Sequence, residues 1–179
     1  MRWFSTVGTL AAGFSAMTSA AAFVPVAAAD EHKKDEKVDR IVAAAVEALA
    51  EGKGGDRTKL AVTYSDVHGL HGGRKVTLKG DGTVEVMTYG PGAKVRETKT
   101  GKVGAEAVGR VIAAVSKIEG WRQAEPMRPG VPDEGLAHLE ISYGGDRTSI
   151  REWLRDLKAN DRIIKVRDLL TELAEAAAK

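Results

Sequence analysis

Two of the four histidines, His68 and His71, stand three residues apart in the run Asp66-Val67-His68-Gly69-Leu70-His71. Imidazoles and a carboxylate in one glycine-containing loop form a donor set suited to zinc, copper or nickel. Asp66, His68 and His71 are the candidate ligands, with His138 or His32 as a further imidazole. A catalytic zinc normally takes three protein ligands and a structural one four. Here only the histidine pair is close in sequence, and no His-Glu-x-x-His motif occurs. Cys is absent, which excludes a thiolate zinc site, an iron–sulfur cluster, a disulfide framework and a cysteine nucleophile. The expectation is a protein without a cofactor, with the histidine loop as the metal-binding alternative.

Nucleophilic and phosphate chemistry find less support. Ser65, Ser116, Ser142 and Ser149 all lie outside any Gly-x-Ser-x-Gly elbow. Tyr64-Ser65-Asp66 beside the histidine loop holds the residue types of a triad, but a triad is defined by spatial geometry. Gly52-Lys53-Gly54-Gly55-Asp56 lacks the spacing of a phosphate-binding loop and reads as a linker. Gly72-Gly73-Arg74-Lys75 offers cations to an anion, yet a basic pair entering a strand more often protects a sheet edge. No enzymatic activity is expected.

Recognition of another protein is the remaining chemistry. Met127 and Arg128 stand in a Pro-rich stretch with Pro126, Pro129 and Pro132, shortly after Trp121. Trp153 lies between Arg151 and Arg155. Arg and Trp are over-represented among residues that dominate interface energetics. His68, His71, Met127, Arg128 and Trp153 are therefore the candidate binding residues. Burial under helices is the competing expectation for both tryptophans, and it is the stronger one for Trp121.

Composition narrows the partner. The chain has 179 residues, with 27 Lys and Arg against 25 Asp and Glu, so its net charge of +2 argues against nucleic acid. Met1-Arg2, an uncharged apolar stretch over 3–26, and Ala27-Ala28-Ala29 before Asp30 have the three-part layout of a secretory signal peptide. Residues 1–29 are read as that signal, which implies an exported, periplasmic or extracellular protein with no stable membrane span after cleavage. The partner is then expected in the envelope or secretome. All three Phe and one Trp lie within residues 1–29, so the mature core must come from Val, Ile, Leu and Ala.

The elements that must position these residues follow from periodicity. Residues 30–37 are all polar and of mixed sign, and read as a solvated tail. Val38, Ile41, Val42, Ala45, Val46 and Leu49 have helical spacing, and Gly52, Gly54 and Gly55 end that helix in a flexible link. This helix either packs on the domain or forms a separate arm. Leu60, Val62 and Tyr64 alternate as in a half-buried strand, as do Val76 and Leu78, then Val84 and Val86. Gly80-Asp81-Gly82-Thr83 between the latter pair predicts a hairpin with a two-residue Asp81-Gly82 turn. A short strand follows near 94–98. Val108, Val111, Ile112, Val115 and Ile118 mark a second helix. Two strands, 136–143 and 147–153, flank Gly144-Gly145, and Ile163, Val166, Leu169, Leu170 and Leu173 mark a last helix over about 160–177. The expected fold is α+β: an antiparallel sheet of five to six strands with helices packed on one face, plus the N-terminal helix. Residues 30–58 form the tail, helix and Gly-rich linker, and 59–179 the single α+β domain.

This succession resembles that of small exported bacterial domains of unknown function. The residues that carry the resemblance are the strand and loop 60–73 with its Gly-Gly, Gly80-Asp81-Gly82-Thr83-Val84, Gly104-Ala105-Glu106, Pro132-Asp133, the strand 139–143 with Gly144-Gly145, and the Leu-rich closing helix. The layout is also similar to the emfourin family, proteinaceous inhibitors of thermolysin-like metalloproteases. The similarity spans roughly 59–174 and implies a peptidase-inhibitor-like binding module. It rests on element order and turn glycines, so no inhibitory residue is carried over.

The signal reading has a direct test. The exported protein is expected to begin at or near Asp30, as read by intact mass; retention of residues 1–29 would refute it.

Overall fold

The computed structural model describes residues 27–122, 128–158 and 161–177. Three helices and six strands follow in the order α1 (Ala27–Ala50), β1 (Leu60–Ser65), β2 (Gly73–Lys79), β3 (Thr83–Gly90), β4 (Lys94–Lys102), α2 (Ala105–Ile118), β5 (Leu136–Tyr143), β6 (Asp146–Trp153) and α3 (Asp161–Ala177). Every pairing is antiparallel, in the spatial order β4-β3-β2-β1-β5-β6. The fold is α+β, as the periodicity implied.

Alternation along the strands divides the sheet into two faces. Leu60, Val62 and Tyr64 of β1 are buried, as are Val76 and Leu78 of β2, Ala137, Leu139 and Ile141 of β5, and Ile150 of β6. They form one core with Val42 and Val46 of α1, four residues of α2, and Ile163, Val166, Leu170 and Leu173 of α3. α1 lies against β5 and β6, α3 against β1 to β4, and α2 against both helices. The opposite strand positions are at least partly exposed and mostly polar, with Met87, Tyr89, Leu136 and Trp153 among the exceptions, and Thr63 and Thr77 share a hydroxyl–hydroxyl bond of 3.0 Å there. With so few aromatics, Tyr64 is the largest fully buried side chain.

The register explains how distant segments meet. β1 pairs with β5 through Val62↔Ile141 and Tyr64↔Leu139, joining the first four strands to the last two. β5 therefore starts where β1 ends, and β6 ends at the same place through Leu136↔Trp153.

Several expectations are corrected. The charged segment 30–37 is part of α1 rather than a tail. Glu and Lys are good helix formers, opposite charges recur there at spacings of three and four, and an existing helix extends at little cost. Helix α1 is not a separate arm, because Val42 and Val46 are fully buried, although Ile41 is 40% exposed and leaves the apolar stripe. The Gly-rich link is pinned where Asp56 N donates to the Tyr143 hydroxyl at 3.1 Å. Strand β4 runs to Lys102, well past 98. Arg74 and Lys75 do not guard an edge, since β2 lies inside the sheet.

The Asp-Gly turn forms a hairpin of a different type. Strand β2 ends at Lys79 and β3 begins at Thr83, leaving a three-residue connection. Gly82 N donates to Lys79 O at 2.9 Å, and Gly82 alone in the connection has positive φ, +86°. A turn followed by one left-handed residue is the usual three-residue hairpin, whereas the type I′ two-residue form that favours Asp-Gly needs two. Asp81 accepts from Thr83 N at 2.8 Å and from Lys102 Nζ at 3.0 Å. The Thr83 bonds, followed by the Lys102 ammonium, hold its carboxyl well below the usual carboxylate range.

A Cβ at Gly82 would collide with the carbonyl of Val103 as well as adopt a disfavoured φ. Gly82→Val is expected to lower stability by about 1–2 kcal/mol or more, from the left-handed strain alone. The urea midpoint should fall with the slope unchanged; an unchanged midpoint would contradict this account of the turn.

Candidate functional site

Four irregular segments gather at the end of the sheet where β1 stops. They are residues 66–72 after β1, the short 3-10 turn Pro91–Ala93 after β3, residues 128–135 before β5 and residues 154–158 after β6. Gly92 N donates to Gly69 O at 2.6 Å, and Leu154 N donates to Gly135 O at 3.0 Å. A Cβ placed on Gly135 would lie 3.4 Å from His68 Cδ2, so the histidine loop and the segment before β5 are neighbours. The two loops singled out in the sequence thus share one end of the molecule.

The histidine loop is a small closed hairpin. His68 and Gly72 exchange backbone bonds, each 2.8 Å, and Gly72 takes a φ of +77° with the Tyr89 carbonyl where a Cβ would stand. The His68 and His71 rings stack with centroids 5.1 Å apart and planes 16° from parallel. His68 Nδ1 accepts from Leu70 N at 3.1 Å, which leaves Nε2 to carry its proton when the ring is neutral. Leu70, at the loop tip, is 57% exposed.

Asp66 is committed elsewhere. Its Oδ1 accepts from Arg74 N at 2.7 Å, and the Tyr64 hydroxyl points at its Oδ2 at 3.4 Å. The carboxylate therefore ties β1 to β2. No group of three or more His, Cys, Asp or Glu residues suited to a metal occurs among the described residues. His138 sits in β5, opposite Ser65 of β1 and Arg151 of β6. Ser65 and His138 are thus cross-strand partners, but the bonds of Asp66 turn it toward Tyr64, whose side chain occupies the other face of β1. A Ser–His–Asp array is not assembled. Met127 and the side chain of His32 lie outside the described residues.

Arg128 is the hub of the 128–135 segment. Its Nε donates to Asp156 Oδ2 at 2.6 Å, and its two terminal nitrogens donate to Glu134 Oε2 and Oε1 at 2.7 and 2.5 Å. Such a two-bond fork is the most directional ion pair available to a protein. The guanidinium carbon lies 5.4 Å from the Trp153 ring centroid, within cation–π range. Trp153 Nε1 donates back to Arg128 O at 3.1 Å, and a Cβ on Gly130 would overlap the indole. Arg128 and Trp153 are therefore spent on holding the loop against β6 and the 154–158 turn. Their polar groups are engaged within the chain. Trp121, by contrast, packs against the core beside α1, as the burial reading expected.

Electrostatics follow this geometry. The Arg128 bonds, helped by Val131 N, hold the Glu134 carboxyl down to about 2. Bonds to Glu134 and Asp156 raise the Arg128 pKa further, so it stays charged throughout. The Glu134 side chain is only 1% exposed, whereas Val131 beside it is 40% exposed.

A second feature at this end escaped sequence reasoning. Tyr64, Asp66 and Arg74 line a cavity of about 430 Å³ together with Leu154, Leu157, Lys158, Arg167, Asp168 and Thr171. Its residues come from four separated stretches. In the sequence, the Gly-Gly-Arg-Lys run points to an anion or to edge protection, and Tyr64 and Asp66 point to triad or metal chemistry, but nothing joins them to 154–158 or 167–171.

No helix among the described residues is long and apolar enough to cross a membrane. The chain matches no protein-family model and no curated protein.

The clamp sets a pH dependence. A depressed Glu134 contributes stability that is complete above its ordinary value of 4.5 and is lost as pH falls toward about 2. Arg128→Ala is expected to lower the Tm at pH 7. The gap to wild type should narrow between pH 4.5 and 2, as protonation removes the charge that Arg128 balances. A gap independent of pH would show that the clamp contributes nothing through charge.

Proposed function

We propose that this chain is an exported, non-enzymatic binding protein that presents the loop end of its sheet to another protein. The observation that carries the reading is the Arg128 clamp. A Pro-bearing surface loop is fixed by a forked ion pair, a second carboxylate and an indole, while apolar Val131 is left facing solvent. Rigid loops lose little entropy on docking, so their contacts convert more fully into affinity. Exposed Leu70 on the neighbouring loop gives a second apolar contact at the same end.

A peptidase-inhibitor-like module is the finer form of this proposal. Inhibitors of that class hold a loop in one conformation against an enzyme surface, and preformed interfaces of this kind move little on binding. The similarity of layout to the emfourin family supports a thermolysin-like metalloprotease as the first target to try. Export through residues 1–29 is part of the proposal, since it places the protein where secreted peptidases act.

The metal-binding alternative uses the same loop with His68 and His71 as ligands. The nearness of the two rings favours it, and their stacking, the bond from Leu70 N to His68 Nδ1 and the commitment of Asp66 to Tyr64 and Arg74 weigh against it.

Purified protein is expected to inhibit a thermolysin-like protease saturably, and Leu70→Asp with Val131→Asp should abolish inhibition without changing the Tm appreciably. Full inhibition by the double variant would move the site elsewhere. Absence of inhibition would remove the inhibitor form, and the same pair of variants can then be tested on any partner retained from the secretome. A stoichiometric metal lost in His68→Ala/His71→Ala would favour the alternative.

A further inference from the structure

The cavity between the ends of β1 and β2, the 154–158 turn and α3 lies on the helix side of the sheet, away from the Arg128 clamp. Its floor is the Tyr64 side chain, 1% exposed. The Tyr64 hydroxyl has one hydrogen-bond partner among the described residues, Asp66 Oδ2 at a long 3.4 Å. Burial, followed by the charge of Asp66, pushes this phenol well above its ordinary range, so the hydroxyl remains a donor at any physiological pH.

The charges lining the cavity are unequal. Arg74, Lys158 and Arg167 face Asp66 and Asp168. Arg167 and Asp168 neutralise each other, with Arg167 Nε and one terminal nitrogen donating to Asp168 Oδ1 at 2.8 and 2.6 Å. Asp66 is occupied by Arg74 N and the Tyr64 hydroxyl. The Arg74 guanidinium makes a single hydrogen bond among the described residues, to the neutral Thr171 Oγ1 at 2.9 Å. Lys158 is exposed and makes no hydrogen bond or ion pair among the described residues. One unit of positive charge remains, with spare donors on Arg74 and Lys158 beside a fixed hydroxyl. Leu154 and Leu157 supply apolar wall.

We propose that this cavity binds a small monocarboxylate with an apolar body, its head on Arg74 and Lys158 and its body against Leu154 and Leu157. A planar guanidinium with free N–H groups matches a carboxylate fork, and a single excess charge suits a monoanion better than a doubly charged phosphate. The volume of about 430 Å³ lies within the range of small-molecule pockets and accommodates a short aliphatic or a single-ring acid. The site does not depend on the loop-end reading, because none of the clamp residues lines it.

Calorimetric titration of the purified chain with hexanoate, hexanamide and inorganic phosphate tests the proposal. Hexanoate is expected to bind saturably, and the uncharged hexanamide and phosphate at least about tenfold more weakly, the worth of one charge-assisted bond. Arg74→Gln should weaken hexanoate by about tenfold or more, and Lys158→Gln, an exposed change that leaves the fold intact, by a measurable factor. Circular dichroism checks that both variants are folded, and Lys158→Gln carries the test where Arg74→Gln is not. Absence of saturable hexanoate binding, equal binding of hexanamide, equal or tighter binding of phosphate, or wild-type affinity in Lys158→Gln would each overturn it.

Discussion

The pairing of β1 with β5 is the contact on which the rest of the molecule depends. It joins residues 60–65 to 138–143 and makes one sheet of two hairpin systems that would otherwise be separate. Closing so long a loop is entropically unfavourable and must be offset by what it buries. The offset is visible in the register: Val62 meets Ile141 and Tyr64 meets Leu139, and all four side chains are at most 1% exposed. Helix α1 covers β5 and β6 and α3 covers the first four strands, so both helices need this seam before their apolar stripes have a common floor.

The seam also fixes what stands at the end of the sheet. Antiparallel pairing of β1 with β5 puts the exit of one strand beside the entrance of the other, and pairing of β5 with β6 brings the exit of the last strand there too. The histidine loop, the Arg128 segment and the 154–158 turn are neighbours for that reason. Their detailed shape is then a matter of polar chemistry. Glu134 is almost completely shielded, and a shielded carboxylate is tolerable only when paired and bonded. Arg128 satisfies it, and Asp156 and Trp153 in turn orient Arg128, so removing Arg128 leaves a shielded carboxylate without its partner.

Much of the fold was legible because alternation and 3.6-residue spacing are local properties. The strands around Val62, Val76, Val84 and Leu139 and the helices around Val111 and Val166 fall where their side-chain patterns placed them. What escaped was either non-local or encoded without apolar residues. The start of α1 carries charge instead of a stripe, so helix propensity had to be weighed against a polar composition that also suits a tail. The turn at Gly82 depends on whether Gly80 joins the connection, and an Asp-Gly pair alone does not decide that. Arg74 suits an edge charge by residue type alone, but strand order is invisible in the chain, and pairing with both β1 and β3 makes β2 interior. Arg128 and Trp153 were found by residue type, but their mutual engagement was not, since its partners Glu134 and Asp156 lie on separate loops.

The two faces of the sheet end divide the work between side chains of opposite strand parity. Trp153 and the clamp lie on the more polar face, while Tyr64 and the cavity it lines lie on the helix-covered face. Leu154 stands between them: its amide is bonded to Gly135 O beside the clamp, and its side chain lines the cavity. The clamp therefore does more than stiffen the 128–135 segment. It also holds Trp153 and Asp156, the residues that flank the 154–155 backbone next to the cavity. The exposed loop at this end of the molecule rests on one shielded carboxylate, Glu134, and on the arginine that makes its burial tolerable.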